Sequence, residues 1–373
     1  MEEITGMEGL NETLGLPCKS CGNQLKYDAE LQKLKCDYCG SVEDISRSND
    51  EVVERDLKKV INQARLYSPE KNAQKVFDCQ NCGAKFSVQA SKVNVDCAFC
   101  GSKNVNEEAF EHNFIQPNGI APFTVTFDQA HEKFKVWIKK GWFHPNKLKQ
   151  IARADHIHGI YIPCWTYDAK SYSTWKGQAG YYYYVTQTYT ENGQTKTRQV
   201  RKVRWVPKSG DFHNSFDDIL VSASGGLKQP YMKGLEPFKL HDAINFNSEL
   251  LVGWESEVYN IEVDQGYQTA KIEMDIRNRT KASIALGGDT QRFLSVNSKY
   301  SDQTFKLLLL PVWMASYTFK GKEYSFTVNG QTGKVYGKKP ISAMKIIILI
   351  LVIAAIAFTI YYLDENNIIQ LNK

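Results

Sequence analysis

Eight of the nine cysteines in this chain fall into four Cys-x-x-Cys pairs, a spacing that is typical of metal ligands. The pairs form two quartets with the same internal spacing, and 61 residues separate equivalent cysteines of the two quartets. The first quartet consists of Cys18, Cys21, Cys36 and Cys39, and the second consists of Cys79, Cys82, Cys97 and Cys100. Because two such turns on adjacent hairpins present four thiolates tetrahedrally, the sequence predicts one zinc ion in each quartet.

Zinc is favoured over the other chemistries that paired cysteines support. Iron in a rubredoxin-like site uses the same four thiolates, and dithiol redox motifs also use Cys-x-x-Cys, but redox motifs do not occur as matched quartets. Because protein fills every ligand position and leaves none for water, both zinc ions are expected to be structural. The acidic first residues carry neither a basic nor an apolar signal segment, which favours a reducing compartment over disulfide formation.

A charge-free stretch near the C-terminus predicts a membrane-spanning helix over residues 343–363. Residues 346–363 contain no charged side chain, and as a helix they extend about 27 Å, enough to cross the hydrocarbon core of a bilayer. Six lysines precede the stretch, namely Lys320, Lys322, Lys334, Lys338, Lys339 and Lys345. Asp364 and Glu365 follow it, so the positive-inside rule predicts a single-pass cell-membrane protein with its N-terminal bulk in the cytoplasm. Residues 364–373 are then a short extracytoplasmic tail.

The composition fits a folded protein with a single span. Hydrophobic residues make up 42% and charged residues 23%, which excludes a disordered chain and a membrane protein with many spans. The net charge of +5 is too small to indicate a nucleic-acid partner by itself. Aromatic residues are plentiful after residue 110, which favours sheet over helix in the larger part of the chain.

Together these patterns predict an α+β protein with two N-terminal four-cysteine zinc ribbons, a mainly antiparallel β domain with a few helices, and one C-terminal transmembrane helix. The expected segments before the span are a first ribbon (14–45), a helical linker (46–75), a second ribbon (76–106), a helical segment (107–158) and a β-rich domain (159–340).

Four helices are predicted before the span from apolar periodicity and end signals. The linker helix should cover residues 49–66, where apolar residues recur at i, i+4 and i+8. A helix capped by Asp128 should end at Gly141, and another should begin at Pro145. Within the β-rich domain, one more helix is expected over residues 263–284.

The strand signals concentrate in the β-rich domain. The predicted strands are residues 181–190, 195–206, 305–319 and 324–336. The Asn192-Gly193 step predicts a hairpin between the first two of them, and Asn329-Gly330 predicts a turn within the last. Pro163 and Pro311 each lie in a Pro-x-Trp segment, which leaves open whether the domain contains a duplicated β unit.

The charge of the predicted ribbons favours a protein partner over nucleic acid. In the first ribbon, lysines and acidic residues balance, and four thiolates on a divalent metal add two negative charges. The second ribbon is close to −1 by the same count. Phosphate binding depends on basic surface, which is lacking here. Tyr38 and Phe99 lie inside the second Cys-x-x-Cys pair of each quartet, where they could anchor a hydrophobic protein contact.

One basic run has three interpretations. Six basic residues lie within 13 positions without an acidic residue among them, namely Lys196, Arg198, Arg201, Lys202, Arg204 and Lys208. A solvated hairpin edge protected against aggregation is the first interpretation. Contact with anionic lipid headgroups is the second, because the C-terminal anchor holds the domain near the membrane. Nucleic acid is the third.

Signals for an enzyme are poor, and we predict no catalytic residue and no enzymatic activity. Gly333-Lys334 lacks the upstream glycine of a phosphate loop, since Val328 stands there. His156 and His158 share one side of a possible strand without a third metal ligand. Asp217 and Asp218 are consecutive and are expected on opposite faces of a strand. Cys164 has Val312 as its counterpart in the second Pro-x-Trp segment and is expected to be a small core residue. Asp168 is expected to be a polar support for a turn at residues 163–165.

The combined pattern resembles a bacterial family of membrane-anchored proteins with two N-terminal zinc ribbons, often labelled zinc ribbon domain-containing or primosomal helicase-like. Besides the eight cysteines, the matching segments are residues 137–140, 142–145, 159–168, 180–186, 204–205, 209–210, 216–221 and 310–313. The helicase label does not fit, because a nucleotide-binding motif is lacking. Some relatives are associated with phage-shock-A-type and flotillin-like (SPFH) proteins of the envelope-stress response, which implies such partners by association.

These observations lead to one functional hypothesis and two alternatives. The hypothesis is a cytoplasmic protein, anchored by its C-terminus, whose zinc ribbons dock partner proteins at the membrane. The first alternative is a membrane-tethered nucleic-acid-binding protein associated with replication, and the second is an uncharacterised hydrolase that uses the β region.

Overall fold

A computed structural model describes most of the chain from residue 16 to residue 365. The described residues are 16–28, 31, 33–45, 52–64, 73–80, 84–87, 97, 105–111, 115–145, 157–319 and 322–365. Some predictions concern residues outside the described ranges. They are the helix predicted to begin at Pro145, of which only Pro145 is described, and the residues His156, Cys82 and Cys100.

A small sheet near the N-terminus carries the first cysteine quartet. It contains three antiparallel strands in sequence order, β1 (Leu25–Asp28), β2 (Lys33–Cys36) and β3 (Val42–Glu43). The turns that precede β1 and follow β2 each contain a glycine with positive φ, Gly22 at +74° and Gly40 at +75°. Only glycine adopts this conformation without cost, which explains the Cys-x-x-Cys-Gly pattern of the sequence.

The larger sheet contains the other twelve strands. They are β4 (Arg55–Asp56), β5 (Ala73–Cys79), β6 (Lys85–Ser87), β7 (Val105–Glu111), β8 (Gly119–Ile120), β9 (His158–Glu191), β10 (Gln194–Ser222), β11 (Ile244–Asn245), β12 (Glu255–Glu257), β13 (Thr290–Phe319), β14 (Lys322–Asn329) and β15 (Val335–Gly337). Most pairings are antiparallel, and the two parallel ones are β12 with β9 and β8 with β13.

Three long strands form the centre of this sheet. β9 lies between β10 and β13 and pairs with both in antiparallel orientation. The second cysteine unit joins the same sheet, because β6 pairs with β12, which pairs with β9. The two Pro-x-Trp segments face each other across β9 and β13, with Pro163 opposite Leu309 and Pro311 opposite Tyr161. This arrangement gives the segments equivalent positions on neighbouring strands.

Five helices are described. They are α1 (Leu57–Ala64), α2 (Phe127–Lys139), α3 (Gln229–Leu235), α4 (Val263–Leu286) and α5 (Ala343–Glu365). α4 confirms the helix predicted over 263–284, and it packs on the long strands through buried residues at four-residue spacing such as Ala270, Met274 and Ala282. Phe134 of α2 stacks on Phe326 of β14 at 3.7 Å between ring centroids. The cores therefore lie between the sheet and its helices.

Three predicted boundaries need correction. The linker helix is shorter than predicted, because residues 55–56 pair with β13 as a strand and the described helix begins at Leu57. The cap of α2 is the Thr126 side chain, which accepts a hydrogen bond from the Gln129 N–H at 3.3 Å, whereas Asp128 lies in the first turn. β13 begins at Thr290, fifteen residues before the predicted strand, because its polar first half pairs with β9 in the extended ribbon.

The protein is thus mostly antiparallel sheet with a few helices and one C-terminal apolar helix. Residues 343–363 of α5 form a helical stretch that is long and apolar enough to cross a membrane, and no residue of its most apolar 18-residue segment is buried. The exposed surface of this helix is made of isoleucine, leucine and valine side chains such as Ile350, Leu351 and Ile353. A helix of this composition is unlike the amphipathic helices that cover the sheet.

Candidate metal centre

The four cysteines of the first quartet meet at one end of the small sheet. Their sulfur atoms all lie within 4.8 Å of one another. Sγ of Cys18 lies 3.6 Å from Sγ of Cys39, and Sγ of Cys21 lies 3.6 Å from Sγ of Cys36. The sequence prediction that these four residues come together is confirmed, and the cluster could bind a metal ion.

Backbone hydrogen bonds shape the two cysteine turns in the same way. The Cys18 N–H donates to the Asn23 carbonyl at 2.6 Å, and the Cys36 N–H donates to the Ser41 carbonyl at 2.9 Å, so each bond spans five residues. The Ser41 hydroxyl also lies 3.0 Å from the Cys18 sulfur. This contact, with the backbone N–H of Ser20 at 3.4 Å, lowers the pKa of the Cys18 thiol to about 6. The surroundings of Cys18 therefore favour its thiolate, which is the form that binds metal, whereas burial and hydrogen bonds to the neighbouring thiols raise the pKa of Cys21.

The donor set fits zinc. A tetrahedral zinc with four sulfur ligands at about 2.3 Å requires sulfur atoms about 3.8 Å apart, close to the two short distances observed. Cys18 and Cys36 are buried, whereas Cys21 and Cys39 are exposed at the tip of their turns. With four protein sulfurs, a bound zinc would have a complete ligand shell and would stabilise the fold without an open position for a substrate.

The first cysteine unit has one side covered by its own chain. The Tyr27 N–H donates to the Val252 carbonyl at 3.0 Å, and the Trp254 indole N–H donates to the Tyr27 carbonyl at 3.0 Å. Leu25, Tyr27 and Leu34 are buried in the same cluster as Phe123 of the larger sheet region. The unit is therefore fixed to the rest of the protein and is not a separate domain on a linker.

The other side of the same unit is exposed. Tyr38, between Cys36 and Cys39, has 79% of its surface accessible to solvent. Leu31 and Val42 are also exposed, at 47% and 45%. A large aromatic side chain exposed between two cysteines of the cluster is a suitable contact for a protein.

Only half of the second quartet falls among the described residues. Cys79 and Cys97 are both buried, and they share a core cluster with Cys164 and Met314. The Cys79 N–H donates to the Ala84 carbonyl at 2.9 Å, a bond that again spans five residues, as at Cys18 and Cys36. Cys82 and Cys100 lie outside the described residues, and a second cluster is not shown.

Cys164 is fully buried among apolar side chains, as expected of a small core residue. Nearby, the Glu257 carboxylate is also buried, and one of its oxygens accepts hydrogen bonds from the Gly225 and Gly226 N–H groups at 3.0 and 3.1 Å. Burial raises the pKa of Glu257 to about 8 and that of Cys164 well above its usual range. Sequence reasoning missed Glu257, because nothing in Glu255–Glu257 distinguishes it from a surface strand.

A second polar cluster lies where the central strands bulge. Asp168, Asp217 and Asp218 place carboxylate oxygens within 4.8 Å of one another. The prediction that Asp217 and Asp218 lie on opposite faces is wrong, because β10 has a bulge between Phe216 and Ile219 and Asp218 has φ of +50°. The Asp218 N–H donates to Asp168 at 2.5 Å.

This carboxylate cluster already contains a cation. Lys306 lies 3.0 Å from Asp218 and 3.2 Å from Glu54. Burial, followed by the nearby Glu54, raises the pKa of Asp168 to about 7, while the pKa of Glu54 is lowered. The cluster is therefore an ion-pair network that joins residue 54 to the central strands. Asp168 supports the bulge of β10, where it accepts a hydrogen bond from the Asp218 N–H, and not a turn at residues 163–165, because those residues lie within β9.

The basic run forms part of a projecting hairpin. From Gly180 to the Asn192-Gly193 turn, β9 pairs only with β10 among the described strands, since β13 begins opposite Gly180. Arg198, Lys202 and Arg204 occupy even-numbered positions of β10 and therefore share a face. On the other face, Arg201 lies over the Tyr182 ring at 4.3 Å.

The hairpin tip lies far from the point at which α5 leaves the sheet. β15, which precedes α5, pairs with residues 326–328 of β14, and these pair with β13 near Trp313, opposite Gly159 of β9. From Gly159 to the tip, the strand extends roughly 100 Å at about 3.3 Å per residue. The tip and the start of α5 are therefore at opposite ends of the long strands.

Comparisons with known proteins give one clear similarity. The chain is 27% identical to the uncharacterized protein YdjG of Bacillus subtilis over 339 residues, which cover 88% of this chain and 91% of that protein. No family model matches the sequence, and no solved structure matches it. The chain is thus similar over most of its length to a bacterial protein whose name states no function.

Proposed function

We propose that this chain is a membrane-anchored cytoplasmic protein with two structural zinc sites that docks partner proteins at the membrane. The observation that carries the proposal is the exposed side of the first cysteine unit, where Tyr38 projects between two metal-binding cysteines. Because the opposite side is fixed to the larger sheet through Tyr27 and Trp254, the exposed side would be held in a constant position for a partner.

The charges of the first unit support a protein partner over a polyanion. All four of its lysines form ion pairs with acidic residues, namely Lys19 with Glu43, Lys26 with Asp37, Lys33 with Asp44 and Lys35 with Asp28. The four thiolates add negative charge to a surface whose lysines are already neutralised. Binding to nucleic acid requires basic groups that release counterions from phosphates, so this unit is poorly suited to it.

The resemblance noted from the sequence suggests the class of partner. Phage-shock-A-type and flotillin-like (SPFH) proteins are the proposed partners, in an envelope-stress response at the cell membrane. The C-terminal helix supports the membrane part of the proposal, because residues 343–363 are apolar and their surface is exposed. The lysines before it, including Lys338 and Lys345, support a cytoplasmic location for the bulk of the chain by the positive-inside rule.

Photo-crosslinking from Tyr38 tests the docking proposal. A benzophenone amino acid at position 38 of the full-length protein in cells should crosslink to a protein, and the crosslink should disappear when Cys36→Ser disrupts the metal cluster. The matched control is the same amino acid at Tyr184, which is 64% exposed on the distant hairpin. A crosslink from position 184 with none from position 38 would reject docking by the cysteine unit.

A thiol reagent that cannot cross membranes tests the proposed orientation. In intact cells, Cys79 and Cys82 should stay unlabelled even after zinc is chelated, whereas a cysteine introduced at Asn372 should react. The opposite labelling pattern would show that the positive-inside argument from the lysines is wrong.

One observation favours a second candidate function, nucleic-acid binding by the projecting hairpin. Lys202 and Arg204 have no ion-pair partner among the described residues, and Tyr182, Tyr183 and Tyr184 are exposed nearby. Exposed cations interleaved with tyrosines suit contacts to phosphates and stacking on bases. Salt-dependent retention of the full-length protein on a single-stranded DNA column, lost in an Arg198→Gln, Lys202→Gln, Arg204→Gln variant, would put this candidate first.

A further inference from the structure

An open cleft lies where the C-terminal helix leaves the folded part of the chain. Its volume is about 500 Å³, within the range of pockets that hold small ligands. The end of α2 and the loop that follows it form one side, with Lys139, Trp142 and His144. Lys345, in the first turn of α5, forms the other side.

Hydrogen bonds fix the loop of residues 141–145 against the beginning of α5. The Ser342 N–H donates to the Phe143 carbonyl at 2.8 Å, and the Lys345 ammonium donates to the His144 carbonyl at 2.9 Å. His144 Nδ1 lies 2.9 Å from the Pro340 carbonyl oxygen. Gly141 has φ of +105°, and a Cβ atom there would lie 2.6 Å from the His144 ring, so the tight turn requires glycine. The cleft is therefore built by packing and is not a gap between loose segments.

The apolar side chains around the cleft are exposed at the level where the proposed span begins. Trp142 is 55% exposed and Phe143 is 42% exposed, and their rings meet edge to face at 5.3 Å. Ile341 and Met344, just before and within the first turn of α5, are 65% and 69% exposed. Tryptophan at this depth is typical of the boundary between water and lipid, where its ring is partly immersed.

The polar side chains around the cleft are basic. Lys139 and Lys345 line it, Lys140 and Lys338 are exposed close by, and none of the described residues that line it is acidic. Lys339 is held nearby, where its ammonium lies 4.1 Å from the Trp137 ring centroid and donates to the Lys140 carbonyl. The end of a helix also favours cations, which accounts for lysines on α2 but not for Lys345 at the start of α5.

We propose that this cleft binds the phosphate-bearing headgroup of an anionic phospholipid in the leaflet that α5 enters. Lys139 and Lys345 contact the phosphate from the two sides of the cleft, and Trp142 and Phe143 enter the glycerol and acyl-chain region. The proposal rests on the membrane span of the proposed function, and it commits to a lipid because the cleft is continuous with the start of that span. It also directs the α2 end of the protein, and not the basic hairpin, toward the membrane.

Native mass spectrometry of the full-length protein in detergent tests this site. Wild-type protein titrated with phosphatidylglycerol should retain one lipid per chain more tightly than it retains phosphatidylcholine. Each lysine near an anionic headgroup contributes to lipid binding, and the loss of one such lysine weakens that binding about fivefold. Lys139→Gln should therefore weaken phosphatidylglycerol binding about fivefold and leave phosphatidylcholine binding unchanged. Trp142→Ser should weaken both lipids.

The matched control is Lys133→Gln, an exposed lysine earlier on the same helix, which should bind phosphatidylglycerol like the wild type. Lys345→Gln should act like Lys139→Gln, but because Lys345 also bonds the His144 carbonyl, the exposed Lys139 gives the safer variant. Equal binding of the two lipids by the wild type, or unchanged binding by Lys139→Gln, overturns the proposal. Displacement of the lipid by excess inorganic phosphate would reveal a free-phosphate site and would also overturn it.

A carbonate wash of membranes that contain the full-length protein separates this proposal from the proposed span. If the protein stays in the membrane but shows no preference for phosphatidylglycerol, the lipid site is wrong and the span stands. If the wash releases the protein, the span itself is wrong, and the lipid site is rejected with it.

Discussion

Trp254 joins the first cysteine unit to the larger sheet, and replacing it tests whether that unit depends on the rest of the protein. The indole stacks on Phe123 with ring centroids 4.2 Å apart and meets Trp313 edge to face at 5.6 Å. Its N–H donates to the Tyr27 carbonyl at 3.0 Å. Two substitutions separate these contributions, since Trp254→Phe keeps an aromatic ring and Trp254→Ala removes it.

The expected magnitudes follow from the contacts. Trp254→Phe loses one hydrogen bond between protein groups, which contributes about 1 kcal/mol. Trp254→Ala also loses the stacked ring and leaves a cavity. Its total cost is about 3 kcal/mol, the lower end of the range for replacing tryptophan by alanine, because the indole is only partly buried. A change of about 1.4 kcal/mol in the free energy of local opening alters amide exchange tenfold. The two variants should therefore speed exchange about fivefold and about 100-fold.

Hydrogen exchange at the Tyr27 amide is the assay, because this N–H donates to the Val252 carbonyl at 3.0 Å and is exposed when the unit separates from the sheet. Trp142→Ala is the control, since that indole is 55% exposed and lies on the loop beside α5. The control should leave exchange at Tyr27 unchanged. Unchanged exchange in Trp254→Ala would refute the reasoning, because it would mean that the cysteine unit is stable without its contact to the sheet.

Two further substitutions probe the larger sheet by urea unfolding in detergent. Asp168 has a pKa near 7 in the folded protein and near 3.8 in the unfolded chain. The unfolding free energy of the wild type should therefore fall as the pH rises from about 4 to about 7, and Asp168→Asn should remove this dependence on pH. An equal slope in both proteins would contradict the pKa argument. Asn329→Ala should cost about 3 kcal/mol, because the buried amide donates to the Leu235 and Pro237 carbonyls and accepts two backbone N–H groups. Tyr184→Ser, on an exposed surface, should change stability by less than about 0.5 kcal/mol; a comparable loss there would show that burial is not the cause.

Features set by local sequence could be predicted. The hairpin turn follows from Asn192 and Gly193, which have φ of 52° and 74°, as a two-residue turn of this kind requires. The first four cysteines come together because of two turns. Each turn contains a glycine and is closed by a backbone hydrogen bond that spans five residues. The helix over residues 263–286 follows from its apolar positions. In each case the signal lies within a few residues of the structure that it specifies.

Features set by contacts between distant segments could not be predicted. The bulge that brings Asp217 and Asp218 together depends on the register between β10 and β9, and no local pattern marks it. The burial of Tyr27 depends on Trp254, which lies 227 residues further along the chain. The first half of β13 is polar, because one face is exposed and the other packs on α4 with only a few apolar side chains, such as Leu294 and Val296.

The metal content of the full-length protein tests the central claim most directly. Elemental analysis of protein purified in detergent should give two zinc ions per chain for the wild type. Cys18→Ser should give one, because each quartet is complete within its own unit and the second should keep its metal. Less than one zinc ion per chain in the wild type, without iron in its place, would contradict the claim that these cysteines form zinc sites.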